Sequence, residues 1–379
     1  MKKFLSFVLC LSMILGVLAL SSCEKTQDPD PEDTTNAEES TTPPNEEAAR
    51  KEQLKTELKN EFLKQANEVI VNENSVTFKD ATSKDGSTIT ISKNPAKTVN
   101  LYASFTTLWY EAGGSVSGCI GGSSSQELYV EYIGRDITAD DGMTVVATSS
   151  SGKKWDTEQI IALKPDLIIC STAMSGYSTI QAPAEAADIP VIAVSYDDFS
   201  DYLKWFKVFC NLTGHADLWD SVAMKSLDEV VEVLAEIPTS QGPSVFSMFS
   251  GSTSLQANTS STVVGGMINA MNAVNIVDEW KDSTGAERLD INLETVFSVN
   301  PDIIIVQCHA GAEAAREQVE STYGSNPVWQ SLKAVREGKV FYLEKTLFHN
   351  KPNSRFAEAY QQLAEILYPD VDFSFKTVK

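Results

Sequence analysis

Two stretches constrain the fold of this 379-residue chain more than any others. They are "EQIIALKPDLIIC" (Glu158–Cys170) and "ETVFSVNPDIIIVQC" (Glu294–Cys308). Both contain a Glu, an apolar segment, a Pro-Asp pair and a branched aliphatic run ending at a Cys. A continuous aliphatic run behind a Pro turn reads as a strand buried on both faces, as in a parallel sheet. The residues before each Pro read as a helix: Ile160, Ile161 and Leu163 in one copy, Val296, Phe297 and Val299 in the other. Each copy is therefore helix, tight turn, buried strand, and a chain that does this twice is expected to have two α/β halves.

Other segments extend the pattern. "AKTVNLYASFTTLWYEAGG" reads as strand, polar loop and helix, and "GPSVFSMFSGSTSLQANTSSTVVGGMINAMNA" as strand, longer loop and helix. Strands alternating with helical patterns imply α/β units. Between the halves, Phe199, Tyr202, Phe206 and Phe209 keep helical spacing up to Thr213-Gly214. Leu218, Val222, Leu227, Val230 and Leu234 continue it through Ala216–Glu236, a helix of about 31 Å. The expected fold class is α/β, with two Rossmann-like lobes around mostly parallel sheets. One long α-helix bridges them, and a cleft lies between them.

The N-terminus reads as a targeting signal. Lys2 and Lys3 precede an uncharged, mostly apolar run, Phe4–Leu20, and then Leu20-Ser21-Ser22-Cys23. This is the layout of a secretory signal peptide. The Cys directly after small residues resembles the bacterial lipoprotein box, which implies a lipid on Cys23. Glu24–Arg50 holds nine acidic and two basic residues with four Pro. Such composition offers too little apolar surface to offset chain entropy, and as a tether it would reach roughly 25–30 Å. Much of the net charge of −22 lies here, and that charge argues against nucleic acid as a partner. Leu54, Leu58, Phe62 and Ala66 then form a narrow apolar stripe on a charged helix. The expected division is 1–22 signal, 23–45 acidic tether, 46–68 charged helix, 74–200 N-terminal lobe, 201–240 bridging helices and 241–370 C-terminal lobe. Cys119, Cys170, Cys210 and Cys308 are scattered and expected mostly as buried thiols.

In order and spacing, "NPAKTVNLYASFTTLWYEAGG", "TEQIIALKPDLIIC", "IPVIAV", "LETVFSVNPDIIIVQ", "NPVWQSLKAVREGKVFYLE" and "AEAYQQLAEILYPD" resemble the solute-binding lipoproteins of ABC importers, in the branch for ferric siderophores, haem or cobalamin. The resemblance covers about residues 74–370. It implies two lobes joined by a long helix, with an iron chelate, haem or cobalamin in the cleft. It also implies an ABC permease with its ATPase as partner, and a monomer anchored by lipid on the outer face of the cell membrane. Glu158 and Glu294 match the positions of the Glu pair that docks on permease arginines. A Glu near a helix start also complements the helix dipole, and the two roles are compatible. A surface sensor or scavenger without a permease would share the cleft, as would a cobalamin carrier.

Loops at the strand ends should face the ligand. Tyr102, Ser104, Phe105, Ser149, Ser171 and Tyr177 are the candidates from the N-lobe, and Phe249, His309 and His349 those from the C-lobe. Apolar walls with a few placed polar groups suit a bulky ligand. Three His are too few for a bare transition-metal site, so no direct metal site is expected, although His309 is a candidate axial ligand if the cargo is haem. The cleft loops offer Lys153, Lys154, Lys345 and Lys351, with Arg355 nearby. No G-x-S-x-G, H-E-x-x-H or strand-linked G-x-G-x-x-G is present. "SSSGKKW" has Ala147 where a Walker loop needs Gly. These features point away from an enzyme.

Overall fold

The computed structural model describes residues 44–83, 86–149 and 155–373. The signal and Cys23, nearly all of the acidic tether, Lys153 and Lys154 lie outside the described residues.

The N-lobe is a five-stranded parallel sheet in the order β6-β5-β4-β7-β8, with β4 Thr98–Asn100, β5 Gly118–Ile120, β6 Thr144–Ala147, β7 Leu167–Ser171 and β8 Val191–Val194. The C-lobe sheet runs β12-β10-β9-β13-β14, with β11 beside the start of β9. Its strands are β9 Ser244–Ser250, β10 Leu255–Asn258, β11 Val274–Asn275, β12 Arg288–Asp290, β13 Ile303–Cys308 and β14 Val340–Tyr342. β9, β11, β13 and β14 are parallel, while β10 runs antiparallel to both of its neighbours, β9 and β12. A small antiparallel sheet of Ile70–Val71, Ser75–Phe78 and Ile89–Ser92 precedes the N-lobe.

The repeat places β7 and β13 at equivalent, interior positions of their sheets, and every residue of both strands is buried. The Asp of each Pro-Asp pair clasps the neighbouring strand. Asp166 accepts the backbone N–H of Lys97 at 2.8 Å, and the backbone N–H of Asp166 donates back to the Lys97 carbonyl at 2.8 Å. Asp302 does the same with Ser244, accepting from its N–H at 3.0 Å and its hydroxyl at 2.7 Å. Lys333 adds a third contact to Asp302 at 2.6 Å. So the repeated Asp sets the register at the start of β4 and of β9, the first strand of each lobe.

Helices precede both strands as the sequence indicates, Thr157–Ala162 and Leu293–Val299; in the second only Val296 is buried, and Phe297 and Val299 are exposed. The bridge differs from the sequence reading. Phe199–Leu212 ends before Gly214, whose φ of +81° suits glycine. A helical path then restarts at Trp219, opens with a six-residue π-type turn to Met224 and ends at Ala235. Its length is about 25 Å, shorter than the expected single helix because Ala216 and Asp217 form a turn.

An aromatic core joins the lobes at this bridge. Phe199 meets Phe62 at 5.2 Å and Phe356 at 5.1 Å, and Tyr202 meets Phe206 at 5.7 Å. Phe356 opens the last helix, Phe356–Leu367, which packs along Lys225–Ala235. The first helix, Pro44–Phe62, crosses the bridge antiparallel. Three ion pairs at matching four-residue steps hold it there: Lys51–Glu236 at 2.7 Å, Lys55–Glu232 at 2.8 Å and Lys59–Asp228 at 2.7 Å. Cys119, Cys170, Cys210 and Cys308 are free and buried.

Candidate functional site

The carboxyl ends of β9 and β13 position the chemistry of the C-lobe. His309 follows β13 directly, and His349 follows the short helix Lys345–Phe348 that comes after β14. The imidazole nitrogens His309 Nδ1 and His349 Nε2 are 2.9 Å apart. Behind His349, Phe249 stacks on its ring at 5.7 Å, and the Arg288 guanidinium lies 4.1 Å over Phe249. Arg288 reaches this place because β12 pairs with β10 and β10 with β9, which puts residue 288 two strands from Phe249 in the same sheet. Its Nε donates to Asn258 Oδ1 at 3.1 Å.

A buried amide relay holds these pieces together. Gln307 accepts from Asn258 Nδ2 at 3.1 Å and donates to the Phe348 carbonyl at 2.6 Å. Burial, with His309 and the cations Arg288, Lys345 and Lys351 adding to it, pushes His349 down to about 3. Burial and Lys345 also lower His309. Both imidazoles are therefore neutral at physiological pH.

The N-lobe closes over this surface. Lys345 Nζ lies 3.4 Å from both Ser124 Oγ and Glu127 Oε2, and Tyr132 donates to the Thr346 carbonyl at 3.2 Å. Lys351 donates to the Tyr196 carbonyl and lies 3.7 Å from Asp197. Burial, then Asp197 and Glu287, raise the Tyr102 hydroxyl, so Tyr102 of one lobe senses an acid of the other. The cleft is thus lined by cations that are already partly paired. A separate groove of about 870 Å³ lies at the opposite end of the N-lobe sheet, lined by residues that include Asn94, Lys164 and Asp188.

The sequence model of the periplasmic binding protein family matches residues 130–347, more than half of the chain. The chain belongs to that family. Among curated members, the Fe(3+)-citrate-binding protein YfmC of Bacillus subtilis is 24% identical over 254 residues, covering 66% of this chain and 74% of that protein. The high-affinity heme uptake system protein IsdE of Staphylococcus aureus is 26% identical over 112 residues, and the chain spans only 37% of its length. The fold is shared with solved periplasmic binding proteins. The haem complex of S. aureus IsdE gives a TM-score of 0.57 at 16% identity, covering 72% of this chain and 98% of that one. The catecholate-siderophore binding protein VctP of Vibrio cholerae gives 0.58 at 12% identity, covering 76% and 98%. The two-lobed α/β architecture expected from the repeat is the architecture of this family of binding proteins.

Within this periplasmic binding fold, the structure brings Phe249, His309 and His349 together at the C-lobe strand ends, while Tyr102 packs on Phe105 at 4.6 Å in the N-lobe. The remaining candidates make other contacts. Ser104 and Phe105 are buried in helix Ala103–Glu111. Phe105 stacks on Tyr196 at 6.1 Å within the N-lobe, and the Ser104 carbonyl accepts from Asn353 of the C-lobe at 3.1 Å. The Ser171 hydroxyl accepts from Ala173 N–H at 3.3 Å and shapes its own turn. Tyr177 packs under the outer helices against the cluster that contains Cys170 and Ile180. Ser149 is exposed, and its carbonyl accepts from Trp155 at 3.3 Å. Arg288 and Gln307 went unrecognised in the sequence. The only signal for Arg288 is the short alternation Arg288-Leu289-Asp290-Ile291, which reads as an edge strand once β10 is known.

Glu158 and Glu294 are both exposed in the first turns of their helices. The caps are other side chains. Asp156, not Thr157, accepts from Gln159 N–H at 2.9 Å, and Asn292 accepts from Glu294 and Thr295 N–H at 3.0 and 3.2 Å. Neither Glu is used as a cap. Each helix runs down to a parallel strand, so each Glu lies toward the strand ends that carry the cleft.

Proposed function

We propose that this protein captures a ferric complex in the interlobe cleft and delivers it to an ABC permease outside the cytoplasm. The observation that carries this reading is the Arg288–Phe249–His349–His309 stack at the strand ends of the C-lobe, in a chain of the periplasmic binding family. A cation, aromatic faces and neutral imidazoles suit an anionic chelate that already satisfies its metal. Among the described residues, no three His, Cys, Asp or Glu side chains gather to hold a bare ion. The likeness to YfmC, named for Fe(3+)-citrate, extends over 74% of that protein and supports a ferric carboxylate chelate. The shorter likeness to IsdE supports haem as the second reading.

Delivery rests on Glu158 and Glu294, one exposed carboxylate on each lobe, which make a two-point dock for permease arginines; such pairs are often bidentate. Lipid on Cys23 and the acidic tether would hold the body at the outer face of the membrane. Two acyl chains suffice for stable anchoring, where one is marginal. The test is mass spectrometry of ligand co-purified with the protein, followed by titration of the stripped protein with ferric citrate while tryptophan fluorescence is followed. Saturable quenching supports the reading. A co-purified ligand without iron or any chelating group ends it.

A further inference from the structure

We infer that His349 fixes the tautomer of His309, so that the cleft offers its ligand an imidazole N–H and withholds the imidazole lone pair. The ligand named for it rests on the proposed function, but the tautomer itself does not.

The geometry leaves one arrangement. His309 Nδ1 and His349 Nε2 share a single hydrogen bond of 2.9 Å, so one of them donates to the other. The remaining nitrogen of His349, Nδ1, is buried and has no hydrogen-bond partner among the described residues. A neutral imidazole carries one N–H, and buried N–H groups without an acceptor are rare because their desolvation is uncompensated. His349 therefore keeps its hydrogen on Nε2 and leaves a bare lone pair on Nδ1. Burial, with His309 and the cations Arg288, Lys345 and Lys351, disfavours a second hydrogen on His349.

His309 Nδ1 must then be the acceptor. Because His309 is also held neutral, its own hydrogen sits on Nε2. That atom makes no hydrogen bond within the described residues and is not closed off from solvent. Coordination of iron by His309 Nε2 needs the opposite tautomer. It would move the His309 hydrogen to Nδ1 and force the His349 hydrogen onto its buried, partnerless nitrogen. Two contacts hold the His349 region in place. Phe249 stacks against it, and Gln307 grips the preceding Phe348 carbonyl at 2.6 Å.

The consequence is a choice of ligand chemistry. The site selects an oxygen acceptor on the periphery of a chelate, such as a carboxylate of a coordinatively complete ferric complex. It selects against a metal centre with an open axial position. His349 acts here as a positioning residue.

Nitrogen-15 NMR of the histidines in the ligand-free protein reads the tautomer directly. His309 should show a protonated Nε2 and a pyridine-like Nδ1, and His349→Phe should mix the two forms. A protonated Nδ1 on His309, or a spectrum indifferent to His349→Phe, overturns the inference. Ferric citrate titrations add a second arm. His309→Ala should weaken binding roughly 10- to 100-fold, the effect of a charge-assisted hydrogen bond. His309→Gln, whose amide can donate, should recover to within a few-fold. Equal loss in both variants, or a haem Soret shift abolished by His309→Ala, overturns the inference and leaves iron-complex capture standing. Absence of ferric citrate binding in the wild type removes that ligand from the proposed function, and the NMR result still decides the tautomer.

Discussion

Asp302→Asn probes the clasp that the repeat builds, and its cost follows from the structure. Burial alone would raise the Asp302 carboxyl. Bonds from Lys333 and from the hydroxyl and N–H of Ser244 outweigh burial and hold it at about 2, against an ordinary 3.8. At 1.36 kcal/mol per unit, that difference corresponds to roughly 2.4 kcal/mol. The side chain is 37% exposed, and solvent screening reduces the figure to about 1–1.5 kcal/mol. Because the folded value is depressed, this stability is present above pH 3.8 and is lost as pH falls toward 2. Urea unfolding at pH 7 should therefore show Asp302→Asn destabilised by about 1–1.5 kcal/mol, and a thermal melt should show a Tm lower by about 2–5 °C. The gap between wild type and variant should shrink steadily below pH 4. Asp166→Asn, which loses one backbone bond and no cation, should cost less. A gap that is the same at pH 7 and pH 3 would refute the electrostatic origin of the clasp.

Three further outcomes are expected. Glu158→Ala combined with Glu294→Ala should abolish uptake of labelled complex by cells while ligand affinity stays within about twofold; loss of affinity instead would move these residues into the cleft. Cys23→Ala should shift the protein from the membrane fraction to the soluble fraction after export, as removal of an acyl anchor requires; unchanged fractionation would discard the lipid. Burial, partly offset by the Ser354 hydroxyl and N–H and by Arg355, pushes Glu111 up to about 7. Its ionised form is therefore disfavoured in the folded state, and stability should decline as pH rises from 5 to 8. Glu111→Gln should flatten that decline in thermal melts, and an unaltered slope would assign the pH dependence to other groups.

The fold was legible because its signals are local. Buried parallel strands show themselves as unbroken aliphatic runs, and both "DLIIC" and "DIIIVQC" are buried throughout. The buried face of Phe199–Leu212 was likewise written in its aromatic spacing. The site was legible only in part. His309 and His349 could be placed at strand ends, but their mutual bond joins residues on separate strand connections, which no spacing encodes. Phe105 sits one turn from a strand end, where exposure and burial look alike in sequence; it is packed on Tyr196. Arg288 depends on the order of three strands in a mixed sheet, a long-range fact. The break in the bridge was signalled by Gly214, but the wide turn after it has no sequence signature of its own.

The three lysine–carboxylate rungs that strap the first helix across the bridge determine where force enters the molecule. Each rung is weak and half exposed, yet together they fasten the leading segment to the hinge and to neither jaw. A pull on the chain ahead of Pro44 would reach the pivot first. Neither Glu158 nor Glu294 takes part in these rungs, so strain on the first helix passes to the bridge without crossing the helix starts that carry them.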